Sequence, residues 1–283
     1  MYLDFYNLRE FPFSLNCDDR FFYESAIHRE ALANMAYTIQ QRKGMVMITG
    51  EVGSGKTFLA RMFAARLGEG FEAVVVSNPP QSGTQLLRTL AERIGLATAQ
   101  LPDKAGRAEA VEAEVARLHM RGRTLVMILD ECQDLPGGSL EEIRLLWNWE
   151  RDGQRLVQIV LVGQPELREK VLEPKWEPLR QRIVLSYHLG RLTRDETTAY
   201  IRHRVSVAGG EHTTLTFADE AMQDIHDATD GIPRLINVLC DNALLVGYAA
   251  ERAEIDRPTI RQVLRDMTCW GLNVGAGAGP ARR

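Results

Sequence analysis

Short apolar runs alternate with amphipathic stretches along the first two thirds of the chain. Met45–Thr49, Ala73–Ser77, Leu125–Leu129 and Val157–Val162 are too short for helices and nearly free of polar residues, which is the pattern of buried strands. The segments between them carry helical periodicity. In Ser25–Lys43 the apolar residues Ile27, Ala31, Met35 and Ile39 fall at a spacing of four, and Phe58–Leu67, Thr84–Ile94, Ala105–Met120 and Leu140–Glu150 also read as helices. Apolar strands separated by helices predict a parallel sheet covered on both faces, with Val184–His188 as a further strand. After about Leu192 the pattern is helical only: Arg194–Ala208, Ala218–Ala228, Pro233–Tyr248 and Pro258–Met267. Thr193 or Asp195 is placed to cap the first of these, and Pro258 fits the opening turn of the last. The first 25 or so residues follow neither period. Their aromatics (Phe5, Tyr6, Phe11, Phe13, Phe21, Phe22, Tyr23) surround Pro12, which predicts an irregular, packed segment.

These patterns divide 283 residues into an α/β domain over 1–192, an all-α domain over 193–268, and a glycine-rich tail over 269–283 expected to be flexible. No internal repeat is visible. With 34 basic and 38 acidic residues the net charge is −4, which excludes a uniformly basic nucleic-acid binder while leaving room for a local patch. Cys17, Cys132, Cys240 and Cys269 never form a C-x-x-C pair, so a zinc ribbon or dense disulfide framework is excluded and reduced thiols are expected. No apolar run approaches the ~20 residues that span a bilayer, and the N-terminus lacks the layout of a signal peptide. A soluble, cytoplasmic chain is expected.

Candidate chemistry begins at the end of the first predicted strand. Residues 50–57, GEVGSGKT, fit G-x-x-x-x-G-K-[ST] and stand between a strand and a helix. Glycines there let successive backbone N–H groups turn inward around phosphates, and the helix N-terminus adds positive potential. Lys56 is expected to reach the β- and γ-phosphates and the Thr57 hydroxyl to ligate Mg²⁺. The nucleotide-contacting set is then Gly50, Glu51, Val52, Gly53, Ser54, Gly55, Lys56, Thr57 and Phe58. A second strand, Leu125–Leu129, ends in Asp130 and Glu131, which puts both carboxylates at the carboxyl end of the sheet. Asp130 is expected to hold Mg²⁺ through water, and Glu131 to polarise the attacking water.

With those residues placed, the chain resembles the AAA+ ATPases, and more narrowly the ExeA/GspA-type ATPases of type II secretion and type IV pilus biogenesis. The resemblance spans roughly residues 1–268. It is carried by Phe11–Ser14 (FPFS), Ser25–Leu32 (SAIHREAL), Lys43–Gly44, Asp130–Gln133 (DECQ), Leu161–Leu167 (LVGQPEL), Leu179–Ile183 (LRQRI) and Gly231–Asn237 (GIPRLIN). It implies a P-loop α/β sheet flanked by helices and followed by a helical lid, ATP and Mg²⁺ as ligands, and ATP hydrolysis. It further implies that Gln164 is the sensor orienting water and that Arg182 is an arginine finger reaching a neighbour's nucleotide, with Arg180 as the fallback. Arg234 matches the second sensor on the lid. His28 matches a residue near the adenine, although a capping or core histidine fits as well. Asn148 matches an asparagine of relatives to which no role attaches. Cys132 replaces a common alanine and is expected to be buried and inert.

The same resemblance implies a ring-like homo-oligomer that drives assembly or remodelling of an envelope secretion or pilus component, cytoplasmic or recruited to the inner membrane. Membrane-anchored relatives continue into a transmembrane helix and a peptidoglycan-binding module, whereas this sequence stops at Arg283. That suggests a stand-alone paralogue or a piece cut before the anchor, with no membrane insertion by this chain. Two rival functions stand beside this one. One is an ATP-dependent DNA-binding regulator resembling transposition AAA+ ATPases, which the −4 charge and lack of a recognisable helix-turn-helix weaken. The other is a nucleotide-gated scaffold without useful hydrolysis, against which intact Lys56, Asp130 and Glu131 argue.

Overall fold

The computed structural model describes residues 2–97 and 103–269. Their contacts divide the chain into two compact units. One comprises Ala26–Val52 and Lys56–Leu189; the other takes Met1–Ser25, Gly53–Gly55 and Gly190–Arg283.

The first unit is built on five strands: β1 (Met45–Gly50), β2 (Phe71–Val76), β3 (Thr124–Leu129), β4 (Val157–Gly163) and β5 (Ile183–Leu189). Every pairing is parallel and the order across the sheet is β2-β3-β4-β1-β5. The strands that read as unbroken apolar runs, β1, β3 and β4, are buried at every residue and lie in the middle. β2 and β5 take the edges and are only partly buried, and in β5 inner and outer residues alternate. Burial on both faces is what removes alternation from the central strands. The helices of this unit are α2 (Ala26–Gln40), α3 (Lys56–Arg66), α4 (Gly83–Arg93), α5 (Lys104–Met120), α6 (Gly137–Trp147), α7 (Pro165–Leu172) and α8 (Glu177–Arg180). Leu86, Leu87 and Leu90 of α4, Val111 and Val115 of α5, and Ile143 and Leu146 of α6 join Met127, Ile159 and Leu161 of the sheet in one core.

Two predicted boundaries move. The helix expected over Leu140–Glu150 begins earlier, at Gly137 behind Pro136, and stops at Trp147. Glu150–Arg151 instead pairs with Gln154–Arg155 across Asp152-Gly153, both at positive φ. The helices α7 and α8 have too few apolar residues to register as periodic segments.

The second unit contains α1 (Tyr2–Phe5) and then α9 (Arg194–Gly209), α10 (Asp219–Thr229), α11 (Pro233–Ala249) and α12 (Arg257–Cys269). Thr193, not Asp195, caps α9. Its side chain accepts from Glu196 N–H while the Glu196 carboxylate reaches back, a complete capping box. Two-residue strands Thr216–Phe217 and Glu254–Ile255 pair in parallel. The aromatic segment, expected to go with the sheet, packs in this unit. Tyr2, Tyr6, Phe13 and Phe21 share a core with Ile201, Leu239, Leu244 and Ile260. The Tyr6 hydroxyl donates to the Leu244 carbonyl at 3.1 Å, and Tyr2 donates to Asp241 at 2.6 Å. Beyond Cys269 the expected tail lies outside the described residues. Among the described residues no helix is long and apolar enough to cross a membrane.

Candidate functional site

The first glycine-rich segment joins β1 to α3. Gly50 ends β1, and Lys56 and Thr57 open α3. Gly53 and Gly55 have φ of 81° and 97°, a backbone that L side chains avoid. Lys56 is buried, 6% exposed, and its ammonium donates to the Glu51 carbonyl at 2.8 Å. Burial lowers its pKa, an effect opposed by the charges of Glu131, Asp130, Glu51 and Glu166. A desolvated ammonium with one backbone acceptor is under-compensated, and an anion is what would complete it. Val52 projects outward, exposed, while Phe58 is half-buried on α3. Ser54 is buried and its hydroxyl has no hydrogen-bond partner among the described residues.

Across β4 from β1, β3 delivers the acid pair. Asp130 is buried, with one carboxylate oxygen accepting from the Thr57 hydroxyl at 2.6 Å and the other from Glu131 N–H at 2.9 Å. Burial pushes its carboxyl above the ordinary value, and those two hydrogen bonds pull the other way. Thr57 and Asp130, 73 positions apart in sequence, are thus in direct contact. Their paired oxygens and the buried Lys56 ammonium fit a Mg²⁺–polyphosphate group: hard oxygens for the ion, positive charge for the phosphates. Glu131 follows at φ 58°, ψ 38°, a left-handed conformation rarely taken by a non-glycine residue. Such strain is found where a side chain has been aimed by its surroundings. Cys132 is fully buried, its thiol bonded to the Leu129 carbonyl and pushed well above the ordinary thiol range by burial, so it is inert as expected.

Gln164 stands at the end of β4 as the residue before α7, and its N–H donates to the Gln133 side-chain oxygen at 3.0 Å. Gln133 also donates to the Glu131 carboxylate at 2.8 Å. Sequence reasoning assigns no role to Gln133, although an amide two residues beyond the acid pair is the signal available. Arg182 precedes β5 and is held within its own unit. Its guanidinium donates to the Asn148 side-chain oxygen at 3.1 Å and to the Pro178 carbonyl, and lies 5.4 Å from the Trp147 ring. Burial and the neighbouring charges of Arg144 and Arg155 lower its pKa, and no carboxylate pairs with it among the described residues. Arg180 instead bonds the Leu172 carbonyl and sits 4.0 Å from Glu177. His28 is buried in the first turn of α2. Arg234, exposed, is the second residue of α11; its N–H donates to the Gly53 carbonyl at 3.2 Å within the helical unit. A Cβ built on Gly53 would stand 2.5 Å from the Arg234 Cβ, so only glycine fits there.

A five-stranded parallel sheet of order β2-β3-β4-β1-β5, with a phosphate-type loop after β1 and an acid pair after β3, defines an AAA+ P-loop protein. Residues 39–171 match the family model described as an AAA domain. The Aeropyrum pernix ORC2 protein in its ADP form superposes with a TM-score of 0.69 at 20% identity, covering 92% of this chain and 73% of that one. The A. pernix ORC1 protein in complex with DNA gives a TM-score of 0.66 at 16% identity, covering 92% and 70%. General secretion pathway protein A of Aeromonas hydrophila is 37% identical over 254 residues, 88% of this chain. The chain belongs to the AAA+ ATPase family of that GspA/ExeA type. It spans about half of that relative, 45% of its length.

Proposed function

We propose that the chain binds and hydrolyses Mg²⁺–ATP and, as a homo-oligomer, uses that cycle to drive assembly or remodelling of a secretion or pilus machine. The observation that carries the catalytic half is the Thr57–Asp130 hydrogen bond of 2.6 Å beside a buried, under-compensated Lys56. The support for the machine is the likeness to general secretion pathway protein A.

In this reading ATP is the phosphoryl donor; Thr57 and Asp130 would hold Mg²⁺, which would supply positive charge where negative charge develops. Lys56 moves from the Glu51 carbonyl to the phosphates, where its charge is better compensated. Glu131 orients a water, and the Gln164 side chain lies one strand away to fix it. Positioning and electrostatics carry most of the acceleration, because phosphoryl transfer needs little covalent help. Arg182 completes a neighbouring subunit's site, with Asn148 and Trp147 holding it in place until then. Arg234, whose backbone already bonds Gly53, senses the nucleotide from α11.

Glu131→Gln should lower phosphate release by about 100-fold or more while ATP is retained, the size expected for loss of a general base. Unchanged release would remove Glu131 from the mechanism. Specific activity should rise with protein concentration if Arg182 acts in trans; a flat profile counts against that role. The ORC1 structure in complex with DNA supports a second reading, an ATP-dependent DNA-binding regulator. An ATP-dependent shift of labelled duplex at ~50 mM salt would favour it, and no shift would dismiss it.

A further inference from the structure

We propose that Gln133 is a positioning residue for this reaction: one side-chain amide fixes the Glu131 carboxylate and ties it to the turn that carries Gln164. The inference rests on Glu131 being the water-orienting carboxylate.

The chain leaves β3 through Asp130, passes into the left-handed conformation at Glu131, and makes a single helical turn over Cys132–Asp134. Glu131 forms no side-chain cap on that turn. A glutamate has three rotatable side-chain bonds, so something beyond its own backbone must select one direction for the carboxylate. Gln133 does so. Its Nε2 donates to Glu131 Oε2 at 2.8 Å, and its Oε1 accepts from Gln164 N–H at 3.0 Å. The two ends of one planar group therefore bridge the ends of β3 and β4, which are neighbours in the sheet.

Gln133 is itself fixed from several sides. Its backbone carbonyl accepts from Lys170 Nζ at 2.9 Å, and the same ammonium bonds the Leu135 carbonyl at 2.5 Å. Asp134 Oδ2 takes a second hydrogen bond from Nε2 at 3.0 Å. Cys132, between the two, is anchored through its thiol to Leu129. Gly163 leaves the space: a Cβ there would approach Gln133 Oε1 to 3.0 Å.

The chemistry demands an amide. The Glu131 end requires a donor and the Gln164 end an acceptor, and a side-chain amide carries both on one small rigid plane whatever the pH. Asn is one methylene shorter. With Oε2 occupied, Glu131 Oε1, which has no partner among the described residues, is the oxygen left to accept from water.

Two variants test this by steady-state phosphate release in the full chain. Gln133→Leu keeps the bulk and removes both hydrogen bonds; Gln133→Glu keeps an acceptor for Gln164 and turns the Glu131 contact into a like-charge one. Both should lower kcat by about 10- to 100-fold, the scale of a misplaced reacting group. KM for ATP should stay within about twofold and the thermal midpoint should not move. The decisive arm adds Gln133→Leu to Glu131→Gln and follows single turnovers. If Gln133 acts through Glu131, the double variant should be no slower than Glu131→Gln alone. Additive losses, a kcat within twofold of wild type for both single variants, or a raised KM matching the loss would overturn the inference. Should Glu131→Gln alone prove harmless, the reading of Glu131 has failed instead.

Discussion

The sheet unit and the helical unit each bury a cation, and they treat it in opposite ways. Among the described residues Lys56, 6% exposed, makes one hydrogen bond, to the Glu51 carbonyl. Arg204, 4% exposed, has three: to the Pro12 carbonyl at 2.5 Å, the Ser14 carbonyl at 2.8 Å and the Tyr200 hydroxyl at 2.9 Å. It also lies 4.9 Å from the Phe21 ring and 5.6 Å from that of Tyr200, whose hydroxyl passes on to Asn237 at 2.8 Å. Both pay the desolvation cost of a sequestered charge. Arg204 is compensated by its own chain and serves the scaffold, clamping the N-terminal segment. Lys56 is left short, and the shortfall is one that a bound anion would make good.

Four substitutions probe that contrast. Lys56→Ala should cost the most, up to about 1,000-fold in phosphate release, or about 4 kcal/mol. It should leave the ligand-free thermal midpoint unchanged or raised, because an under-compensated buried charge is removed. A large drop in that midpoint would break the contrast by making Lys56 structural. Arg204→Met should do the reverse, lowering stability by about 3 kcal/mol through the stranded carbonyls of Pro12 and Ser14. Urea unfolding followed by tryptophan-independent circular dichroism measures it, and a neutral result would show the clamp to be dispensable.

Gly231→Ala comes next. Gly231 has φ 70°, and a Cβ on it would lie 2.0 Å from the Leu192 carbonyl oxygen, so backbone must shift; about 2 kcal/mol of destabilisation is expected in the same assay. Asp224 gives the smallest effect. Arg257 bonds both its oxygens, at 3.0 and 2.8 Å, and Arg261 reaches it at 3.3 Å. The hydrogen bonds from Arg257 hold its carboxyl below the ordinary value of 3.8. A depressed folded-state pKa contributes stability above the unfolded value and loses it as pH falls through the folded one. Asp224→Ala should therefore cost about 1 kcal/mol at neutral pH and nothing once the pH is well below 3.8. An equal cost at both pH values would mean packing, not charge, holds that corner.

The strands and the loop were legible because each is a local signal. An unbroken apolar run such as Leu125–Leu129 admits few alternatives, and residues 50–57 declare their spacing. The contact between Thr57 and Asp130 was inferable only from the rule that strand ends of one parallel sheet gather on one side. Pairings were not legible where partners are distant and the residue type is common. Asn148 and Arg182 are 34 positions apart, and nothing in either marks the other. The aromatic segment misled for a related reason. Composition showed that Tyr2, Tyr6 and Phe13 must be buried, but not which core would take them, since a partner such as Leu244 lies 238 positions from Tyr6.

That distance governs how the polypeptide emerges from a ribosome. The Tyr6 hydroxyl cannot exchange water for its native acceptors until Leu244 and Arg252 have been made, and β1 cannot gain its edge neighbour until Ile183–Leu189 follows it. Neither core can close before those later segments have been made, and until then the aromatic side chains of residues 2–25 lack their native cover.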